Sequence, residues 1–261
     1  IHEACRQVDA ERALDIQYCH YDDIFAQHKV GLGDTLEALA RLLANGITAP
    51  FRRARGDDSR LRHTAGMVVK WVESPTFRKQ TRDRLVERIE AVKPHVVLGH
   101  SLGSLVCYDT FTHEESRATA SGRYFVSLGS QIGNPFVRGE YQAGRLSAIE
   151  KARFWYHLYN RFDSVFTARV SIAADNFRQV DTHFDIPGNA DHAAEEYLRH
   201  PQAVSTFWYD VLNDETTRIT RALREQRPVA ARVATPPKRA LLIGIKRYFA
   251  KNPPLARNRQ L

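Results

Sequence analysis

Chemistry enters this sequence at a serine held between two glycines, Gly99-His100-Ser101-Leu102-Gly103. A serine hydroxyl is a weak nucleophile unless an imidazole takes its proton, and the imidazole needs a carboxylate to fix its tautomer and stabilise its charged form. The five residues match G-x-S-x-G, a pattern whose meaning depends on a strand directly before it and a helix directly after. Both are expected. His95 to Leu98 is a short β-branched run with the shape of a buried parallel strand, and Leu102 to Thr112 reads as a helix. A side chain at Gly99 or Gly103 would clash with the chain that passes close behind such a turn. The turn would expose the Ser101 hydroxyl at a helix N-terminus, whose dipole favours negative charge, with the Leu102 N–H aimed where an oxyanion forms. The plainer alternative is a Gly-rich strand-to-helix turn with an incidental serine, and the flanking elements favour the nucleophile.

The stretch His95 to Asp109, H-V-V-L-G-H-S-L-G-S-L-V-C-Y-D, resembles the elbow region of lipase- and esterase-like α/β hydrolases. In element order the resemblance runs from Ile1 to Leu212. It implies an α/β-hydrolase fold, a mostly parallel sheet with helices on both faces, and a triad in the chain order Ser, Asp or Glu, His. Asp163 is the acid that this implies, just after the strand-like run Phe154–Tyr159, in Tyr-Asn-Arg-Phe-Asp-Ser-Val. A turn-forming or capping aspartate is its ordinary alternative. Asp181 and Asp185 come too late, on or at the end of the last strand. His192 is the implied base, after the strand Phe177–Ile186 and the turn Pro187-Gly188-Asn189, where it opens a helix. His183, expected within a strand, is its competitor. His100 is expected to tune or support the elbow, and His157 and His200 read as structural. No His, Cys and carboxylate set has metal-ligand spacing, so neither metal nor cofactor is expected, and Gly31-Leu-Gly33 is too slight to be a phosphate loop.

The elements around these residues alternate between strand and helix, as a parallel α/β sheet requires. Ile1–Ala13 and Thr35–Leu43 read as helices on either side of a strand, Leu14–His20. Phe51–Arg62 reads as an Arg-rich loop, in which Arg52, Arg53, Arg55, Arg60 and Arg62 could meet an anionic head group. Helices are expected at Leu61–Val72 and Thr76–Val92, a strand at Arg123–Leu128, a short helix at Ser147–Arg153, and helices at Asp191–Leu198 and Val204–Leu223. With 261 residues and 43% hydrophobic content, the chain can bury one full core.

The net charge of +8 is not spread evenly. From Arg218 onward there are 12 Lys and Arg against one acid, Glu225, which leaves the rest of the chain at about −3. No nucleic-acid binding is therefore expected of the core, and a solvated linker is the ordinary reading of the basic end. Cys5, Cys19 and Cys107 are far apart, which suits a reducing, cytoplasmic compartment. No apolar run approaches the roughly 20 residues of a membrane helix.

Both ends carry expectations. The chain opens at what the resemblance makes the first helix, so the N-terminal strand or strands and the loop bearing the second oxyanion N–H are expected upstream of Ile1. At the other end Lys238-Arg-Ala-Leu-Leu-Ile-Gly-Ile-Lys-Arg-Tyr248 resembles the first strand of caspase-like (metacaspase-type) peptidase domains, with Arg247 departing from the usual residue there. An ordinary buried strand or basic tail is the alternative. The expected organisation is a hydrolase domain over 1–225, a linker over 226–238 containing Pro228–Pro237, and the start of a caspase-like domain over 239–261. The expected activity is cleavage of a small-molecule or lipid ester, a thioester or an amide through an acyl-enzyme on Ser101. The competing expectation is a hydrolase-like sensor or regulatory module for a downstream caspase-like protease in the same polypeptide.

Overall fold

The computed structural model describes residues 15–28, 58–163, 165, 167–186, 191–212 and 239–244. Expectations for Cys5, the first helix, Thr35–Leu43, Arg52, Arg53 and Arg55, the turn 187–190, the linker and the residues beyond Gly244 lie outside them.

Six strands form one all-parallel sheet: β1 (Asp15–His20), β2 (Val96–His100), β3 (Tyr124–Leu128), β4 (Phe154–Tyr159), β5 (Phe177–Asp181) and β6 (Arg239–Gly244). Their spatial order is β1-β6-β2-β3-β4-β5. Alternate residues of each strand enter opposite cores, as the two-residue period of a strand demands. Val97, Phe125, Trp155, Leu241 and Ile243 face one core, while Val96, Leu98, Val126, Tyr156, Ala240 and Leu242 face the other. The first core is closed by α2 (Asp58–Glu73), α3 (Pro75–Val92) and α4 (Leu102–Thr112), with the short α1 (Asp22–Gln27) and α5 (Pro135–Arg138) at its rim. The second is closed by α6 (Ala194–Arg199) and by a helical run from Pro201 that contains the π-helical turn Val204–Trp208.

Local chemistry sets the element ends. Ser74 caps α3 by accepting from the Phe77 N–H at 3.2 Å, and Pro75 occupies the first helical position, where its missing N–H costs nothing. Lys93, in the left-handed region at φ 48°, closes α3 ahead of Pro94. A buried ion pair, Arg82 to Asp109 at 2.7 Å, ties α3 to α4.

Three elements differ from expectation. Helix α2 begins at Asp58, inside the stretch read as loop. Ser147–Arg153 is not a helix. The Tyr108 hydroxyl donates to the Ser147 carbonyl at 2.9 Å and accepts from the Ser147 N–H at 2.7 Å, which takes the carbonyl that a helix starting at Ser147 would use for its first hydrogen bond. Strand β5 stops at Asp181, five residues short of Ile186.

The fourth difference concerns topology. Arg239–Gly244 is hydrogen-bonded on both sides within this sheet, between β1 and β2, with Ile243 level with Cys19 and Gly99. Strand β6 thus occupies the slot directly beside β2, the strand that leads into Ser101. Its four apolar residues Ala240 to Ile243 are buried on both faces, the condition of a central parallel strand. At its start the Arg239 carbonyl accepts from the His95 N–H at 2.8 Å, and its guanidinium donates to the Val92 carbonyl at 2.8 Å.

Candidate active site

Strand β2 ends at His100 and α4 starts at Leu102, so Ser101 alone makes the turn. Its backbone lies at φ 52°, ψ −127°, a region that non-glycine residues occupy at a cost of order 1–3 kcal/mol. Several bonds hold it there. The Ser101 N–H donates to the Leu128 carbonyl at 3.1 Å, and the Ser104 hydroxyl donates to the Ser101 carbonyl at 2.5 Å. The Ser104 hydroxyl also shares a 2.6 Å bond with that of Ser130, on the loop after β3. Against the expectation of an exposed hydroxyl, Ser101 is buried, and among the described residues its Oγ has no hydrogen-bond partner.

The flanking glycines are required by distance. A Cβ at Gly103 would lie 2.5 Å from the Ile243 carbonyl oxygen, so the start of α4 rests directly on the backbone of β6. A Cβ at Gly99 would lie 2.8 Å from Ser104 Cα. Leu102, as the first residue of α4, has an N–H with no carbonyl one turn earlier to accept it.

The loop after β4 carries Asp163, and the segment after β5 carries His192. Their side chains meet at 2.7 Å, Nδ1 to Oδ2, and both are buried. Asn160 shapes the acid's loop. Its carbonyl accepts from the Asp163 N–H at 3.2 Å, its Oδ1 from the Phe162 N–H, and its Nδ2 donates to the Phe184 carbonyl at 2.8 Å. Asp163 Oδ1 accepts from the Val165 N–H at 2.8 Å. Because the carboxylate accepts the Nδ1 proton, His192 presents Nε2 as its lone-pair nitrogen, the form a general base needs.

His192 sits in a 3-10 turn just before α6 rather than inside a helix. His100 reaches it from the elbow: its Nε2 donates to the His192 carbonyl at 2.8 Å, and the two rings lie 4.7 Å apart. Gly129, at φ 54° directly after β3, leaves room for this pair. A Cβ there would approach His192 Cε1 to 2.9 Å and His100 Cδ2 to 3.2 Å. Through Leu128, Gly129 and His100, the Ser101 turn and the His192 ring share one set of neighbours.

The structure thus brings Ser101, Asp163, His192, His100, Leu102, Gly99 and Gly103 to the same sheet edge, at the C-terminal ends of β2, β3 and β4. It does not bring the competitors there. His183 lies outside any strand, its ring near Phe162. His157 is buried in β4 between the Ser127 hydroxyl at 2.8 Å and the Ala168 carbonyl at 3.0 Å. His200 caps the next helix by accepting from the Gln202 N–H, and Asp181 pairs with Arg169. Gly129 and Tyr197, whose hydroxyl donates to Asp163 Oδ2 at 2.5 Å, escape sequence reading. A glycine at a strand end and a tyrosine in a helix carry no chemical signature. Among the described residues no three His, Cys, Asp or Glu side chains cluster as metal ligands would, and no helix is long and apolar enough to cross a membrane.

Two histidines make stability depend on pH. Burial, reinforced by the neighbouring His192, pushes His100 down to about 3, and burial pushes His157 down to about 4. Both stay neutral when folded and gain a proton on unfolding between those values and about 6.5, so stability falls as pH drops through that window. Each histidine is expected to contribute roughly 1 kcal/mol per pH unit there. Urea unfolding at pH 7 and pH 4.5 measures the loss, and His157→Asn should reduce its slope by one proton. An unchanged slope in that variant would contradict the assignment.

Comparison with protein-family models, with curated proteins and with solved structures finds no match to this chain.

Proposed function

We propose that this protein is a serine hydrolase of the α/β-hydrolase type, cleaving an ester, thioester or amide through an acyl-enzyme on Ser101. One observation carries the reading. A serine in a strained backbone conformation between strand and helix shares its neighbours with a buried Asp163–His192 pair delivered from two other strands.

In this reaction Ser101 Oγ attacks the substrate carbonyl while its proton passes to His192 Nε2. Asp163 holds the imidazole and stabilises its cationic form, and the Leu102 N–H binds the developing oxyanion. Collapse of the tetrahedral adduct breaks the bond to the leaving group, which takes the proton from His192. Water, deprotonated by His192, then adds to the acyl carbon, and as the bond to Ser101 Oγ breaks His192 returns the proton to that oxygen and the acid leaves. The step requires the Ser101 hydroxyl within hydrogen-bond reach of Nε2, a contact that in such enzymes is often made only in the substrate complex. The resemblance of the elbow to lipases and esterases favours a lipid or small carboxylic ester as substrate.

A fluorophosphonate probe tests the proposal. The full chain should be labelled at one residue, and Ser101→Ala should abolish the label while its circular dichroism spectrum stays native. Failure of the folded chain to label would overturn the reading and favour a non-catalytic sensor module.

A further inference from the structure

The carboxylate of Asp163 has more partners than a triad requires. Val165 N–H occupies Oδ1, and Oδ2 accepts both His192 Nδ1 at 2.7 Å and the Tyr197 hydroxyl at 2.5 Å. Tyr197 is fully buried, with its ring edge-on to Phe184 at 5.0 Å. Burial, with the adjacent Asp163 carboxylate second, raises the phenol well above its ordinary range, so it remains a proton donor. A buried phenol needs an acceptor, and this one has found the carboxylate that holds the base.

The chain path gives this bond a mechanical meaning. His192 and Tyr197 are five residues apart, on the turn that opens α6 and on α6 itself. Asp163, His192, the backbone from 192 to 197 and Tyr197 therefore form a closed ring. An aspartate carboxyl turns readily about its terminal torsion, where the preference is broad and roughly two-fold. With the Val165 N–H on one oxygen, a further donor from a fixed direction on the other holds the carboxylate plane against rotation under the imidazole.

Building on the serine-hydrolase reading, we propose that Tyr197 is a positioning residue whose hydroxyl fixes the plane of the Asp163 carboxylate, so that the oxygen it binds stays in line with His192 Nδ1. It touches neither substrate nor the reacting atoms. Its effect passes through Asp163 to the orientation of His192.

Tyr197→Phe tests this, since it keeps the ring and removes only the hydroxyl. The loss of one charge-assisted hydrogen bond should lower kcat on an activated ester by about 10- to 100-fold with KM nearly unchanged. The downfield proton resonance of His192 Nδ1 should move in the same variant. That resonance, recorded in the Ser101→Ala background, needs no turnover. In the Tyr197-containing chain, the slowly exchanging Tyr197 hydroxyl proton should show a nuclear Overhauser effect to the His192 Nδ1 proton. This measurement stands even if the variant folds poorly. An unmoved resonance, with or without a fall in kcat, would overturn the proposal, as would absence of that contact. A moved resonance in a chain that hydrolyses nothing would uphold the lock and overturn the hydrolase reading instead.

Discussion

Alanine at His192 is expected to lower kcat for an activated ester by about 10⁶-fold, and alanine at Ser101 to do the same, with the double variant no worse than either. The equality follows from roles that cannot be performed separately. Without the imidazole the buried Ser101 hydroxyl has no group to take its proton, and without the hydroxyl the imidazole has nothing to activate. What survives in all three is the rate supported by the oxyanion donor and by substrate binding, roughly 10³–10⁴ above water. Asp163→Asn should cost less, about 10⁴-fold, because the imidazole remains and only its tautomer and charge stabilisation are lost. In this protein an amide at 163 would also meet two donors, His192 Nδ1–H and the Tyr197 hydroxyl, at a position where Oδ2 now accepts both. Steady-state kinetics on a p-nitrophenyl ester measure all four chains. Losses that multiplied in the double variant would show that Ser101 and His192 act independently and would remove the reason for pairing them.

The site was legible in the sequence to the extent that its signals are local. Gly99 and Gly103 announce a tight turn because only a missing Cβ fits against Ser104 and Ile243, and the β-branched run before them announces a strand. Asp163 and His192 come from the resemblance, whose chain order of serine, acid and base sets them after the runs Phe154–Tyr159 and Phe177–Ile186. What failed to show depends on distant partners. Nothing near residue 129 says that an imidazole will lie 2.9 Å from its missing Cβ. Nothing in Ser147–Arg153 says that Tyr108, 39 positions earlier, will bind the backbone N–H and carbonyl of Ser147. The apolar run Ala240–Ile243 was readable as a strand, but a parallel strand has no hairpin to name its neighbours. Its slot is decided by which gap in the sheet has apolar cover on both faces. That is a property of the assembled cores.

Removal of residues 238–261 is therefore expected to destroy the fold rather than trim it. Strand β6 lies between β1 and β2, and the hydrogen bonds on both of its edges, together with the burial of Ala240, Leu241, Leu242 and Ile243, would be lost together. Burial of each Leu or Ile contributes about 1.5–3 kcal/mol. Three of them approach the whole net stability of a typical domain, about 5–15 kcal/mol. The elbow would lose its support as well, because the first turn of α4 rests on the Ile243 backbone at Gly103. A chain ending at Pro237 should show no cooperative thermal transition and no fluorophosphonate labelling. Leu241→Ala grades the same effect without deleting a strand. It should cost about 2–5 kcal/mol as a fully buried leucine, lowering Tm by roughly 5–15 °C at the few degrees per kcal/mol usual for a domain of this size. Gly103→Val separates the two roles of β6. Its Cβ must displace either α4 or the Ile243 carbonyl, so labelling at Ser101 should fall further than the loss of stability accounts for. If the shortened chain melted and labelled like the full one, β6 would have no part in this sheet, and the slot beside the Ser101 strand would have to be filled by another segment.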